Sequence, residues 1–283
     1  MKQIPKIYHL FWDGFPMSFY QVFTVISFKK FNPDWEIIIW LSKQKYTELG
    51  ENTFVGAYTG KDYFGVVSAL PYVQIKEIDL EEWGINTEIP SCSGSDIFRM
   101  KVLHKYGGVY SDFDVIWVRP ISVLAFVEHI GAIDDFECSV CFYDYIKGFQ
   151  NVSVMAAKQG ASYLQELIRL QAGVKPPYSH QSYGSELITN HFPTLPHIWA
   201  QHHKVLAVKY ETFYPYSIYC LDALFNTIDL SPMTSNAIAV HWFCGHEISL
   251  QYLNKSLPHR EENSFTKIIN QVIQTRAEVQ DAR

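Results

Sequence analysis

The chain has 283 residues, which is enough for one large α/β domain or two small ones. Hydrophobic residues make up 48% of it and charged residues 18%, so a sizeable core can be buried. The net charge of −6 argues against a nucleic-acid partner and against binding to an anionic membrane surface.

Cysteines and apolar runs limit the class of protein further. The chain has five cysteines, of which Cys138 and Cys141 form a CxxC pair. No second pair follows, so we expect free thiols in a reducing cytosol rather than a zinc site. The N-terminal segment lacks the apolar region of a signal peptide, and no apolar run approaches the roughly 20 residues of a membrane span. We therefore expect a soluble, cytoplasmic protein with no transmembrane segment, and peripheral contact with the inner membrane face stays open.

The first 120 residues alternate between predicted strands and helices. Strands are predicted at 4–12, 36–41 and 73–79, and helices at 16–31 and 42–49, from apolar spacing and turn residues. The apolar run EIIIWL is typical of a central parallel strand that is covered on both faces. This alternation predicts an α/β fold with a mostly parallel, Rossmann-like sheet flanked by helices, in which ligands bind at the carboxyl ends of the strands.

The stretch SDIFRMKVLHKYGG, residues 95–108, predicts a helix that ends at two glycines. Apolar residues recur at near-helical spacing over 96–106, and Ser95 is the predicted N-cap. Asp96 and Arg99 are three residues apart and therefore share one face of this helix. A hydrogen-bond acceptor beside a donor suits the hydroxyl groups of a sugar.

A strand rich in β-branched and aromatic residues is predicted over 109–118. Asp112 and Asp114 lie near its middle, and a regular strand would point both carboxylates to the same face. Two carboxylates on one face of an apolar strand are costly to bury unless a cation neutralises them. Oxygen ligands suit Mg²⁺ or Mn²⁺, which leave other positions for water or substrate phosphates. The pattern therefore predicts a divalent-metal site.

The order S-D-x-x-R, then G-G-x-Y-x-D-x-D, resembles the DXD-containing sugar-transferases of glycosyltransferase family 32. That group includes bacterial capsule and lipopolysaccharide enzymes and the yeast initiating mannosyltransferase, and the large clostridial toxin glucosyltransferase domain is a more distant likeness. The opening I-P-K-I-x-H-x-x-W is also similar to the family. The resemblance implies one GT-A-type domain over 1–283. Its expected parts are a nucleotide-sugar-binding half (1–120), an acceptor-side half (121–260) and a C-terminal helix (261–283).

The resemblance implies a role for each polar residue of the two motifs. Asp96 and Arg99 would hold the transferred sugar, with charge-assisted hydrogen bonds from the guanidinium group. Asp112 would lie between the ribose or the sugar and the metal, and Asp114 would bind the metal directly. These four residues form the predicted catalytic set.

The N-terminal strand supplies aromatic candidates. By the resemblance, Trp12 or Phe11 would cover the nucleotide base, and a core aromatic residue at a strand end is the alternative. His9 is interpreted as a core histidine whose ring nitrogens are hydrogen-bonded. The predicted donor-binding residues are Phe11, Trp12, Asp96, Arg99, Tyr110, Asp112 and Trp242.

The second half of the chain is less regular. Strands are predicted at 205–210 and 237–242, and helices at 121–129, 161–172 and from 261 onward. The segment SYGSELIT resembles the T-G-P-x-x-L-T helix start of the family, but tyrosine and serine flank its glycine in place of threonine and proline.

The segment VHWFCGH looks like the late histidine-containing segment of retaining enzymes with this fold. By that resemblance His241 is the predicted third metal ligand beside Asp112 and Asp114, with His246 as the runner-up and a structural histidine as the alternative. An imidazole ligand favours Mn²⁺ over Mg²⁺. Trp242 would close over the donor. A further candidate, Asn151, would contact a sugar hydroxyl, or else be an ordinary turn residue.

These features, taken with the resemblance, predict a metal-dependent glycosyltransferase that moves a hexose from a nucleotide-sugar to a hydroxyl of a glycan or glycolipid. The resemblance also implies retention of the anomeric configuration. UDP is preferred to GDP by analogy alone. Mn²⁺, or Mg²⁺, would neutralise the leaving diphosphate. No covalent nucleophile is evident, so front-face attack by the acceptor is expected. The alternatives are a toxin-like transferase acting on a protein and a metal-dependent phosphohydrolase. A glycoside hydrolase would place its carboxylates across a cleft and need no metal.

Overall fold

The computed structural model describes residues 3–44, 58–123, 136–142, 150–179, 181–194, 196, 198, 201–254 and 262–281. The strands in these ranges are β1 (Ile7–Trp12), β2 (Glu36–Ser42), β3 (Val73–Ile78), β4 (Gly108–Ser111), β5 (Val115–Trp117), β6 (Cys138–Phe142), β7 (Gln150–Ala157), β8 (Val205–Lys209) and β9 (Ala239–His241). The α-helices are α1 (Val22–Phe31), α2 (Phe64–Ser68), α3 (Ser91–Tyr106), α4 (Ser162–Gln171), α5 (Ser185–His191), α6 (Leu221–Phe225), α7 (Glu247–Leu253) and α8 (Ser264–Asp281).

One seven-stranded sheet, in the order β3-β2-β1-β4-β7-β6-β8, forms the centre of the described fold. Strands β1 to β4 pair in parallel, and β6 pairs in parallel with β8. Strand β7 runs antiparallel to both of its neighbours. The predicted α/β class with a mostly parallel sheet is confirmed. None of the helices in the described ranges is both long enough and apolar enough to cross a bilayer.

Apolar residues cover both faces of the sheet, as the continuous run in β2 predicts. Alternate residues of β1 enter different clusters: Tyr8, Leu10 and Trp12 pack with α1, whereas Phe11 packs with α3 and α4. A third cluster surrounds α6, α7 and α8, and its core includes Phe265. The cluster that contains Phe11 holds the motif helix α3 against one face of the sheet. The cluster that contains Tyr8 holds α1 against the other face.

Helix α3 differs from its prediction at the N-terminus but not at the C-terminus. It begins at Ser91 instead of residue 96, so Ser95 is inside the helix and the N-cap prediction is wrong. The Ser95 hydroxyl donates to the main-chain oxygen of Cys92 at 2.7 Å. Serine and glycine are poor helix formers, so local helix propensity did not predict the first turn, in which Ser91 and Ser93 are buried.

The two glycines end α3 and begin β4 for a steric reason. Gly107 adopts a φ of 68°, and Gly108 adopts a φ of 103°. A Cβ at Gly108 would lie 2.4 Å from the main-chain oxygen of Ile7 in the neighbouring strand. The predicted helix end is therefore confirmed, because only glycine combines this backbone conformation with such a close approach.

The predicted continuous strand at 109–118 is wrong. The chain forms β4, then breaks over Asp112, Phe113 and Asp114, and resumes as β5. Strand β4 belongs to the large sheet, whereas β5 leaves it to pair antiparallel with β9. The two acidic residues therefore stand at a bend between two sheets, and the premise of strict alternation along one strand does not hold.

Smaller differences concern the bounds of the short helices and of β2. In the predicted helix 16–31, a short 3-10 turn at Phe19–Gln21 precedes α1. Strand β2 continues to Ser42, where the next helix was expected, and most of that predicted helix lies outside the described residues. The predicted helix 121–129 begins as a 3-10 turn at Ile121–Val123, and its remainder also lies outside them. The short α2 was not predicted.

His9 connects β1 to the end of α3, which confirms its interpretation as a core histidine. The indole N–H of Trp40 donates to Nδ1 of His9 at 3.1 Å. An indole nitrogen only donates, so Nε2 carries the ring proton and donates to the main-chain oxygen of Gly107 at 2.9 Å. Burial lowers the pKa of His9 to about 4.

We expect His9 to make folding pH-dependent. Its folded pKa lies below the unfolded value of about 6.5, so its contribution is complete above pH 6.5. As the pH falls from 6.5 to 4, only the unfolded chain gains the proton, and stability declines by at most about 3 kcal/mol. Urea unfolding from pH 7.5 to 4.5 measures this. The stability gap between the wild type and His9→Gln should narrow as the pH falls, and a gap that stays constant contradicts the prediction.

Candidate active site

The backbone of the DFD bend is tied to two distant strands. The Asp112 N–H donates to the main-chain oxygen of Ser153, in β7, at 3.0 Å. The main-chain oxygen of Asp114 accepts from the N–H of Trp242 at 3.0 Å, and Val115 pairs with His241 across β5 and β9. Pairing of β5 with β9 therefore delivers the late histidine segment to the motif.

Asp112, Asp114 and His241 come together at this bend. One possible ligand atom from each lies within 4.8 Å of the others. Nε2 of His241 is 3.1 Å from Oδ1 of Asp114. Two donor atoms at this spacing fit adjacent positions around an octahedral ion with bonds of about 2.1 Å.

Asp114 has the environment expected of a metal ligand. The main-chain N–H of Cys244 donates to Oδ2 of Asp114 at 2.8 Å. Nε2 of His241 lies beside Oδ1, and among the described residues Nδ1 of His241 is buried without a hydrogen-bond partner. Burial favours a higher pKa for Asp114, but attraction to His241 and hydrogen bonds from His241 and Cys244 outweigh it and lower the pKa. An ionised carboxylate with one oxygen held by Cys244 and the other beside an imidazole nitrogen fits a divalent cation.

Aromatic rings hold the imidazole of His241 in place. The ring centroid of Phe243 is 4.2 Å away in an edge contact, and that of Tyr214 is 5.1 Å away. Phe243 has a φ of 49°, which a bulky residue rarely adopts. This turn aims the next N–H, from Cys244, at Asp114.

Arg99 is the centre of a second polar cluster. Its Nη2 is 2.9 Å from Oδ1 of Asp96 and 3.0 Å from Oδ1 of Asp112, and its Nη1 is 3.2 Å from Oδ2 of Asp112. Nη1 also donates to the main-chain oxygen of Val152 at 2.8 Å. Nη2 donates to the hydroxyl of Ser95, and Nε donates to the main-chain oxygen of Ser95. All five N–H donors have acceptors within the protein.

In the structure Arg99 holds two carboxylates together, and a direct contact between Arg99 and the sugar stays a prediction. Its side chain is 4% exposed, and the ring of Tyr110 stacks under the guanidinium carbon at 4.8 Å. Tyr110 is buried too, and its hydroxyl donates to Oδ1 of Asp112 at 3.4 Å. Both residues position Asp96 and Asp112, and neither offers a free surface to a donor.

Asp96 and Asp112 differ in burial. Burial raises the pKa of Asp96 to about 7; attraction to Arg99 opposes this shift, and repulsion from the charge of Asp112 adds to it. The side chain of Asp112 is 29% exposed, so it faces solvent from the edge of the cluster. Asp112 thus belongs to the arginine cluster and to the metal-ligand group, and it connects the two.

The aromatic residues predicted to bind the donor are buried. The indole of Trp12 donates to the oxygen of Phe15 at 3.0 Å and packs on Phe113 of the DFD bend. Phe11 packs on Phe98, on the opposite face of β1. A role for either ring at the base stays a prediction. The indole of Trp242 is fully buried in the third cluster, and its closure over a donor stays a prediction.

Two polar candidates have structural partners. Nδ1 of His246 accepts the N–H of Ile248 at 3.3 Å and caps α7, so the structure groups His241, not His246, with the acids. Oδ1 of Asn151 accepts from the N–H of Ser153 at 2.8 Å and from the hydroxyl of Tyr214. A sugar contact for Asn151 stays a prediction. The sequence analysis assigned no role to Cys244, because a main-chain N–H donor leaves no signal in the residue type.

Residues 18–137 match the protein family described as "glycosyltransferase sugar-binding region containing DXD motif". The matched part, less than half of the chain, contains α3, the DFD bend and the acids of both clusters. It confirms the resemblance to DXD-containing sugar-transferases. None of the curated proteins matches the chain.

Similar solved structures include three glycosyltransferases or toxin domains. PaToxG glycosyltransferase is 18% identical, with 71% of this chain and 74% of that chain covered and a TM-score of 0.48. The galactosyltransferase LgtC, solved with donor and acceptor sugar analogues, is 13% identical, with 89% and 98% covered and a TM-score of 0.39. The catalytic domain of α-toxin from Clostridium novyi is 12% identical, with 61% and 58% covered and a TM-score of 0.39.

Proposed function

We propose that the protein is a metal-dependent glycosyltransferase of the DXD type, which transfers a hexose from a nucleotide-sugar to a hydroxyl of a glycan or glycolipid. The observation that carries this proposal is the meeting of Asp112, Asp114 and His241 beside the Asp96–Arg99 pair. The three residues of the first group fit a divalent cation. The Asp96–Arg99 pair places a carboxyl group beside that cation site, where it can bind sugar hydroxyls. The match over residues 18–137 supports the same activity.

Mn²⁺ is the proposed ion, with Mg²⁺ as the alternative, because one of the three proposed ligands is an imidazole. Asp114 and His241 would hold it, and Asp112 would face both the ion and the donor. When bound, the ion supplies a Lewis acid that neutralises charge on the leaving diphosphate. UDP as the nucleotide rests on analogy with relatives alone.

The protein groups contribute mainly by positioning. Arg99 holds the carboxylates of Asp96 and Asp112 at fixed separation, so a sugar bound to one lies at a fixed distance from the other. Cys244 fixes one oxygen of Asp114 and thereby the direction of the other. Preorganised groups of this kind stabilise developing charge without rearranging during the reaction. We propose front-face attack by the acceptor hydroxyl with retention of the anomeric configuration.

A metal-dependent phosphohydrolase is the second candidate, since a metal site formed by Asp112, Asp114 and His241 would be enough for that activity. The buried Asp96–Arg99–Asp112 cluster favours the transferase, because hydrolysis of a phosphate ester has no need of a second carboxyl site for hydroxyl groups. A toxin-like enzyme that glycosylates a protein is a variant of the main proposal with another acceptor. We also propose a cytoplasmic location, one catalytic domain with the donor in its first half, and at most peripheral membrane contact.

Donor cleavage tests the proposal directly. The purified protein is incubated with UDP- and GDP-sugars, in Mn²⁺, in Mg²⁺ or in EDTA, and the nucleotide products are quantified. We expect free nucleoside diphosphate from one donor, and none in EDTA. Release of nucleoside monophosphate and sugar phosphate would identify a phosphohydrolase instead. Absence of any cleavage, together with absence of Mn²⁺-dependent nucleotide binding, would contradict both activities.

A further inference from the structure

Gly184 lies directly against the carboxyl group of Asp96. It immediately precedes α5, far along the chain from α3. A Cβ added at Gly184 would lie 2.3 Å from Oδ2 and 2.8 Å from Cγ of Asp96. These distances are far below a van der Waals contact, so only a residue without a side chain allows this approach. The sequence marks the glycine as part of a motif, but only the fold shows what it faces.

A buried glutamine ties the two backbones together behind this contact. Nε2 of Gln171, at the end of α4, donates to the main-chain oxygen of Asp96 at 3.2 Å and to that of Tyr183 at 2.8 Å. Gln171 is 5% exposed, so solvent does not compete strongly for these bonds. One amide group therefore holds α3 and the residue before Gly184 in register.

The two carboxyl oxygens of Asp96 have different surroundings. Oδ1 pairs with Nη2 of Arg99 at 2.9 Å. In the part of the chain that the structure describes, no hydrogen bond reaches Oδ2, and the backbone of Gly184 stands beside it. A sugar hydroxyl bound to Oδ2 would lie about 2.7 Å away, in space that a side chain at 184 would crowd.

We propose that Gly184 is a specificity-determining residue of the sugar site: its missing side chain keeps Oδ2 of Asp96 in place and open to one hydroxyl of the transferred sugar. This inference rests on the proposed function, since it takes Asp96 to bind the sugar. A Cβ at 184 would displace the carboxyl group or occupy the place of the hydroxyl. In both cases the sugar loses affinity, whereas the nucleotide and the metal, held elsewhere, do not.

The test compares UDP with UDP-glucose by calorimetric titration in Mn²⁺. For Gly184→Ala we expect at least about tenfold weaker binding of UDP-glucose, and UDP affinity within about twofold of the wild type. Gly65→Ala is the matched control, because a Cβ at that glycine meets nothing within 4 Å. It should leave both affinities unchanged.

A double-mutant cycle separates the contact from a general structural role. Gly184→Ala alone should lower Tm by about 5 °C, and it should cause no further loss in the Asp96→Ala background, where the conflicting oxygens are gone. Tm losses that add, or equal losses of UDP and UDP-glucose affinity, would overturn the inference. If the wild type binds neither these probes nor GDP and GDP-sugars, the proposed function and the sugar role fail, while a non-additive cycle still supports the contact.

Discussion

Asp114→Asn is expected to abolish Mn²⁺ binding and to reduce donor cleavage at least about 1,000-fold. Asparagine has the shape of aspartate and keeps an oxygen for the N–H of Cys244. It lacks the charge that a divalent cation needs at Oδ1, the oxygen that faces Nε2 of His241. The lowered pKa of Asp114 means that its charge also contributes to stability, so we expect the variant to fold with a modestly lower Tm.

The loss of Mn²⁺ binding is measured by titration with Mn²⁺, monitored by calorimetry or by the electron paramagnetic resonance of the free ion. The donor-cleavage assay measures the loss of cleavage. Asp34→Asn is the control, since Asp34 is 57% exposed and pairs with a surface lysine. Full Mn²⁺ affinity in Asp114→Asn would contradict the proposal that Asp114 is a metal ligand. Loss of binding accompanied by loss of folding would instead assign Asp114 a structural role.

Arg99→Met is expected to destabilise the protein by about 3–5 kcal/mol near pH 8. The substitution leaves Asp96 buried and Asp112 partly buried, without the cation that both share. Methionine matches the length of the apolar part of arginine, so lost packing contributes little to the change. Arg99→Lys should also be harmful, because a single ammonium group cannot satisfy the acceptors that the five guanidinium donors reach.

The pH dependence of this loss identifies its cause. The folded pKa of Asp96 is already raised to about 7, and removal of Arg99 raises it further. Asp96 therefore becomes protonated as the pH falls towards 6, and the destabilisation of Arg99→Met should shrink. Adding Asp96→Asn should likewise restore part of the lost stability at pH 8, because it removes the uncompensated charge.

Arg169→Met is a matched control for this experiment. Arg169 forms an ion pair with Glu166 at the same three-residue spacing on a helix, but its side chain is 68% exposed. Water screens such a pair, so we expect a change of at most about 0.5 kcal/mol. Chemical unfolding of the variants at pH 8 and pH 6 decides the matter. Similar losses for the two arginines, or a loss for Arg99→Met that does not depend on pH, would contradict the prediction.

The amino-acid pattern alone predicts the parts of the molecule that local physics controls. The apolar run of β2, the amphipathic α4 and the glycine end of α3 follow from burial, periodicity and backbone freedom. The acids of the two motifs could be singled out because carboxylates are rare within apolar segments. The α/β class followed from the alternation of these elements.

Tertiary structure decided how those residues meet. Asp112 and Asp114 are grouped by a bend between two sheets, not by strand alternation. Arg99 is saturated by Val152 and by both acids, and Trp242 is enclosed by α6 to α8, contacts that no local pattern contains. Gly184 reaches Asp96 only because Gln171 joins the two segments. Local propensity acts over a few residues, whereas the position of each site group depends on packing between segments far apart in the chain.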